Sequence, residues 1–195
     1  MIRDYQITGK DFIIKHNGRV ILADEAGTGK SLQTLLAIQE LNQFPVLCIS
    51  TKPGLYVWKN EIKQWLGEES FVYSGTPANR TEILEYIKQF DNTSKFLITN
   101  YAFVPELLKI FGNHYFKTVV TDEFHLPGVL NHKTQIYKDV KRLCNLAENV
   151  IMPTGTPMRK TPADLFAPLS ILDPIRFANY WDFVREFCIT IKTDY

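Results

Sequence analysis

Val20-Ile21-Leu22-Ala23 runs without a break into Asp24-Glu25-Ala26-Gly27-Thr28-Gly29-Lys30-Ser31, and Leu32 to Leu41 then carries apolar residues at helical spacing. A short apolar strand, a glycine-rich turn ending in Gly-Lys-Ser and a helix, in immediate succession, constrain this chain more than any other stretch of it. Glycines let backbone N–H groups converge on an anion, the lysine adds a point charge, and the neighbouring serine hydroxyl is a hard oxygen ligand for Mg²⁺. The N-terminus of the following helix also favours negative charge. The segment therefore reads as a phosphate-binding loop. Asp24, Ala26, Gly27, Thr28 and Gly29 line it, Lys30 reaches the outer phosphates and Ser31 holds the metal. The generic pattern asks for glycine where Asp24 stands.

Short apolar runs alternate with helical periodicity along the rest of the chain. Strands are expected at about 19–23, 45–50, 71–73, 95–99, 116–121 and 149–153. Helices are expected at about 6–16, 31–41, 54–66, 79–90, 101–111, 131–147 and 162–171. This alternation predicts βα units, hence an α/β fold with a mostly parallel sheet and helices on both faces. Ligands of such sheets bind at the carboxyl ends of the strands, where the motifs of this chain fall. With 195 residues and no Pro/Gly/Ser-rich linker, a single domain over 1–195 is the expectation.

Lys and Arg total 22 against 21 Asp and Glu, so a net charge of +1 gives no global signature of nucleic-acid binding. Any such contact must come from a local patch. Cys48, Cys144 and Cys188 lack metal-ligand spacing and sit in apolar or amphipathic stretches, which suits buried thiols in a reducing compartment. The N-terminus carries no apolar signal region and no run approaches a membrane span, so a soluble intracellular chain without a membrane partner is expected. Aromatic residues crowd the end, from Phe177 through Tyr180, Trp181, Phe183 and Phe187 to Tyr195, with a helix near 180–187. That much apolar surface either packs on the domain or leads into something further.

A second chemical feature follows the strand Val119-Val120-Thr121, which ends in Asp122 and Glu123 and then Phe124-His125. Adjacent carboxylates at a strand end point in different directions, which suits two roles. Asp122 would hold the Mg²⁺ shell and Glu123 would orient or deprotonate an attacking water. Taken alone, the pair reads as an acidic turn; with the loop at Lys30 in the same chain, the catalytic reading prevails.

In this order the motifs resemble the first RecA-like lobe of the Swi/Snf family of superfamily-two helicase-like translocases, whose fold is that of a P-loop NTPase. Ala23 to Ser31 is similar to the family's Ala-Asp-Glu-x-Gly-x-Gly-Lys-Thr, including Asp24. Asp122-Glu123-Phe124-His125 resembles its Asp-Glu-x-His box, with Phe124 where a small residue is usual. Arg3-Asp4-Tyr5-Gln6 resembles the opening element, which implies Gln6 as the adenine contact, and Ser50 to Gly54 with Trp58 to Glu61 resembles the second motif. Thr99-Asn100-Tyr101 resembles the Thr-x-Tyr element. Pro153-Thr154-Gly155-Thr156-Pro157 resembles Leu-Thr-Gly-Thr-Pro, implying that Thr154, Gly155 and Thr156, with His125 packed or hydrogen-bonded against them, couple nucleotide state to nucleic-acid grip.

The resemblance implies ATP and Mg²⁺ as cofactors and double-stranded DNA as partner. Its phosphate backbone would be gripped by Lys52, Pro53, Thr99, Asn100, Tyr101 and Arg159, a set of hydroxyls, amides and cations suited to sequence-independent contacts. As single residues, Arg159 also reads as part of a solvated loop and Tyr101 as packing at a helix start. Trp58 and Trp65, seven apart on one expected helix, share a face and read as core. Motors of this family close a second RecA-like lobe, in cis or in trans, on the nucleotide and take their arginine finger from it. The expectation for the first lobe alone is ATP binding with weak or no hydrolysis. A nucleotide-gated binding module without turnover, or another superfamily-two enzyme such as an RNA helicase or restriction translocase, stands as the alternative.

Overall fold

The computed structural model describes residues 2–89, 96–111 and 115–189. Residue 90 of the expected fourth helix, residue 95 of the expected fourth strand and Tyr195 lie outside them. Six strands form one sheet: β1 (Arg19–Leu22), β2 (Val46–Ser50), β3 (Ser70–Tyr73), β4 (Phe96–Asn100), β5 (Thr118–Thr121) and β6 (Asn149–Pro153), in the spatial order β1-β6-β5-β2-β4-β3. All five pairings are parallel, so the sheet described is wholly rather than mostly parallel.

Strands buried on both faces need apolar residues on both sides, and the middles of these have them, with polar residues such as Ser50, Asn100, Thr118 and Asn149 at their ends. Leu47, Ile49, Leu97, Val119, Val150 and Met152 point to one side. Their neighbours Val46, Cys48, Ile98, Val120 and Ile151 point to the other. α1 (Asp4–Lys15), α2 (Lys30–Leu41) and α3 (Gly54–Leu66) close the second face with Ile13, Leu35, Ile38 and Ile62. The first face is covered by α5 (Val104–Phe111), α7 (Gln135–Leu146) and α8 (Phe166–Leu172), through Leu107, Val140, Leu143 and Ile171. α4 (Pro77–Gln89) follows β3, and a single turn, α6 (Pro127–Leu130), follows β5.

Several helix boundaries differ from the sequence reading for identifiable reasons. The helix expected over 101–111 opens as a 3₁₀ turn at Tyr101–Phe103, because the Asn100 side chain accepts the Ala102 N–H at 3.0 Å. The one expected over 131–147 starts only at Gln135, where Thr134 Oγ1 accepts the Tyr137 N–H at 3.2 Å. Pro162–Leu165 is likewise a 3₁₀ turn leading into α8. The aromatic end packs on the domain as α9 (Tyr180–Phe187), with Phe183 buried against Phe166 and Tyr180 stacked on His132.

Arg19 joins the sheet edge to two helix ends. Its guanidinium donates to the carbonyls of Leu172 (3.0 Å), Ile171 (2.9 Å) and Ala147 (3.2 Å), the carbonyl-rich termini of α8 and α7. A cation is favoured there by the helix dipoles, although burial lowers its pKa. Burial pushes the Cys144 thiol up to about 12 and the Cys48 thiol higher still, so both are inert. Among the described residues, no helix is long and apolar enough to cross a membrane.

Arg19→Met keeps the stem and removes three charge-assisted hydrogen bonds. It is expected to lower unfolding stability by about 2–3 kcal/mol in urea titrations. A change under about 0.5 kcal/mol would show the guanidinium to be dispensable.

Candidate nucleotide site

β1 ends at Leu22 and the chain turns through 23–29 before α2 begins at Lys30. Gly27 (φ 82°) and Gly29 (φ 77°) adopt left-handed backbone, and a Cβ on Gly29 would meet Gln6 Nε2 at 2.4 Å. The loop is folded round its own ammonium: Lys30 Nζ donates to the carbonyls of Asp24 at 2.9 Å and Glu25 at 2.8 Å. Thr28 Oγ1 donates to the Glu25 carbonyl at 2.9 Å.

Two glutamines brace this loop. Gln6 on α1 is 8 % exposed; its Oε1 accepts the Arg3 N–H at 3.0 Å and its Nε2 donates to the Thr28 carbonyl at 3.2 Å. One amide hydrogen and one lone pair then remain for a further partner. Gln33, which sequence reasoning missed, is fully buried one turn into α2 and donates to Asp24 Oδ2 at 2.9 Å. That bond explains why an acid stands where the generic loop has glycine. Gln33 lies three residues after Lys30 on the same helix face, the one signal that could have found it. Beside the loop, a cleft of about 680 Å³ opens against α1, lined by Tyr5, Thr8, Phe12, Ile21, Asp24 and Thr28.

The two carboxylates sit at the end of β5. Asp122 donates its N–H to the Ile49 carbonyl of β2 at 2.8 Å, while Glu123 turns to donate to the Pro153 carbonyl of β6 at 3.2 Å. That turn puts Glu123 at φ 54°, left-handed backbone in a residue other than glycine. The Asp122 Oδ2 accepts Ser50 Oγ–H at 2.7 Å and Trp58 Nε1–H at 2.9 Å, and the Asp122 carbonyl accepts the Tyr101 hydroxyl at 2.7 Å. Tyr101 is buried there, which raises its phenol well above the usual value, with the Asp122 charge adding to the effect.

Glu123, His125 and Thr154 form a triangle. His125 Nδ1 lies 2.9 Å from Glu123 Oε2 and 3.0 Å from Thr154 Oγ1, and Thr154 Oγ1 is 3.3 Å from the same Glu123 oxygen. The Thr154 hydroxyl also accepts the Thr156 N–H at 3.1 Å, and the Thr154 N–H donates to the Leu22 carbonyl at 3.0 Å. A Cβ built on Gly155 would lie 3.7 Å from the Ala26 nitrogen and 3.8 Å from Lys30 Nζ. The loop, the acidic pair and the segment 153–156 therefore meet at one edge of the sheet.

Whether these groups suit Mg²⁺ can be judged from the donor set. Among the described residues, none bonds to the Asp122 Oδ1 or to the Ser31 hydroxyl, both hard oxygens. No cluster of three His, Cys, Asp or Glu side chains is present among them. Such a set fits Mg²⁺, which keeps waters and takes phosphate oxygens in addition to one or two protein ligands.

The six residues expected to face nucleic acid divide. Lys52, Pro53 and Arg159 are exposed. Thr99 is fully buried and donates to the Tyr73 carbonyl at 2.9 Å, Asn100 is 5 % exposed and caps a turn, and Tyr101 is held on Asp122. The side chains of these three are thus turned to the interior, where the Asn100 Nδ2 has no partner among the described residues. Near Arg159 the backbone N–H groups of Arg159, Lys160 and Thr161 converge on Asp164 Oδ2 at 2.9, 2.7 and 3.3 Å. Burial opposes ionisation there, but these three donors outweigh it and hold the Asp164 carboxyl below its usual value.

The architecture is that of an α/β RecA-like domain. Residues 5–194 match the SNF2-related domain, and the chain belongs to that family. It is 28% identical over 189 residues to the human DNA annealing helicase and endonuclease ZRANB3, covering 94% of this chain and 17% of that protein. It is 30% identical over 203 residues to Protein CHROMATIN REMODELING 5 of Arabidopsis thaliana, covering 95% of this chain and 11% of that one. Against the zebrafish (Danio rerio) Chromodomain-helicase-DNA-binding protein 8 the identity is 29% over 207 residues, covering 95% and 8%. The chain spans less than a fifth of the length of these relatives.

Two glycines of the site should respond differently to a methyl group. Gly29→Ala combines a left-handed φ with a 2.4 Å approach and is expected to lower stability by about 1–2 kcal/mol. Gly155→Ala makes only ordinary contacts and is expected to stay within about 0.5 kcal/mol of the parent in thermal melts. Equal melting shifts would contradict this placement of the loop.

Proposed function

We propose that this chain is the ATP-binding first lobe of a DNA-dependent ATPase that couples hydrolysis to movement on double-stranded DNA. The observation that carries the reading is the meeting of the glycine-rich loop, the Asp122-Glu123 pair and Thr154-Gly155 at one sheet edge. Family membership supports ATP use, and the names of the relatives, an annealing helicase and a helicase-DNA-binding protein among them, support DNA as the partner.

In this reading Lys30 gives up the Asp24 and Glu25 carbonyls for phosphate oxygens, and the N–H groups of Ala26 to Gly29 surround them. Ser31 and Asp122 hold Mg²⁺, which when bound offsets charge on the outer phosphates. Glu123 takes or orients the proton of the attacking water. His125 and Thr154 meet on its Oε2, so the nucleophile's base is mechanically tied to Gly155 and Thr156. Gln6, with one amide hydrogen free, reads an adenine edge, and the cleft against α1 has room for base and sugar. Lys52, Pro53 and Arg159 supply exposed contacts for a phosphate backbone.

Turnover needs positive charge on the transferring phosphoryl group, which in this reading comes from a second RecA-like lobe in cis or in trans. An arginine finger is worth on the order of 10³ to 10⁵ in rate. The 195-residue chain assayed alone is therefore expected to bind Mg-ATP and hydrolyse it slowly at most. Lys30→Ala should weaken nucleotide binding by roughly 10- to 100-fold in fluorescence titration, the loss of one or two charge-assisted bonds. Glu123→Gln should retain binding and abolish residual turnover. Rapid DNA-stimulated turnover by the chain alone would refute the need for a second lobe, and nucleotide binding indifferent to Lys30 would refute the site.

A further inference from the structure

The Asp122 carboxylate is held by two side chains from outside its own strand, and both bond the same oxygen. Ser50, the fully buried last residue of β2, donates to Oδ2 at 2.7 Å; Trp58, 2 % exposed in α3, donates to it at 2.9 Å. The Tyr101 hydroxyl fixes the same residue through its carbonyl. An indole N–H is a donor only, and the Trp58 ring, packed in one of the two cores, cannot follow a rotating carboxylate. The carboxyl plane is thereby set, with Oδ1 left without a donor among the described residues.

The same helix holds an internal comparison. Trp65, seven residues on, donates to Glu61 of its own helix at 2.7 Å and takes no part in the site. Ser50 and Trp58 also stand on either side of an exposed turn. Thr51 Oγ1 accepts the Gly54 N–H at 3.2 Å where α3 begins, and Lys52 and Pro53 lie between them at the surface. That turn joins the end of β2 to the start of α3, the two elements that carry the donors to Asp122.

We propose that Ser50 and Trp58 are positioning residues that orient the Asp122 carboxylate for a divalent cation, and that through them the metal site responds to a phosphate backbone bound at Lys52. This rests on reading Asp122 as a metal-holding carboxylate and Lys52 as a phosphate-backbone contact. The role is distinct from packing because it fixes which oxygen is free. Outer-shell partners of this kind change metal affinity by roughly 10- to 100-fold when removed.

The test is equilibrium binding of a methylanthraniloyl-labelled ATP, titrated with Mg²⁺ and repeated in EDTA, with and without a short DNA duplex. The proteins are the parent chain, Ser50→Ala, Trp58→Phe and Trp65→Phe. Affinity in EDTA should be alike in all four. Half-saturating Mg²⁺ should rise about tenfold in Ser50→Ala and Trp58→Phe and stay put in Trp65→Phe. Duplex should lower half-saturating Mg²⁺ in the parent and in Trp65→Phe but not in Trp58→Phe. Ser50→Ala leaves the core filled, so it reports even if Trp58→Phe unfolds, which thermal melts would reveal. Magnesium dependence in Ser50→Ala and Trp58→Phe equal to that of Trp65→Phe overturns the positioning role. A parent whose magnesium affinity ignores duplex overturns the link to the turn. Failure of the parent to bind nucleotide through Lys30 would instead fell the functional reading itself, and this inference with it.

Discussion

The end of β5 is the point on which the site depends. The backbone there parts between two neighbours: the Asp122 N–H extends the ladder to Ile49 of β2, and the Glu123 N–H crosses to Pro153 of β6. The chain makes this turn in left-handed backbone at Glu123, and a non-glycine residue in that conformation costs of order 1–3 kcal/mol. The surrounding bonds over-determine it. As a consequence the two carboxylates face different partners, Asp122 toward β2 and α3, Glu123 toward β6. A parallel sheet buried on both faces makes the arrangement rigid, because β5 has a bonded strand on either side.

From this division follow two polar systems with separate tasks. Around Asp122 stand fixed donors, Ser50, Trp58 and Tyr101, drawn from three different elements. Around Glu123 stand His125 and Thr154, groups that can each donate or accept and so can exchange a proton or a partner. Gly155 brings the second system against the loop at Ala26 and Lys30. Lys30 and Glu123 are thus linked by way of Gly155 and Thr154, which suits coupling between nucleotide and the segment 154–156.

Much of the fold was legible because its signal is local. Six apolar runs between helical stretches gave the strands to within a few residues, and the glycine-rich loop and the acidic pair were readable at strand ends, while the Thr-Gly-Thr segment stood out only through its resemblance to the family's motif. What was not legible is what distant residues do to one another. Trp58 and Trp65 share a helix face and read alike as core, yet one indole finds Asp122, 64 residues away, and the other finds Glu61 on its own helix. Gln33 looked like an ordinary helical residue until α1 and the loop closed over it. Thr99, Asn100 and Tyr101 were expected at a phosphate backbone, but Thr99 and Asn100 are buried at the end of β4 and the Tyr101 hydroxyl is held on the Asp122 carbonyl. Helix starts moved for a local reason that periodicity does not carry, the side-chain caps at Asn100 and Thr134.

In this reading three separated segments form one nucleotide site. Amide hydrogen exchange of the chain, with and without Mg-ATP, tests it directly. Protection should appear together in residues 23–31, 121–125 and 153–157, because the acidic pair is hydrogen-bonded to Thr154 and Gly155 lies beside the loop. Protection confined to the loop, or appearing away from the carboxyl ends of β1, β5 and β6, would contradict it.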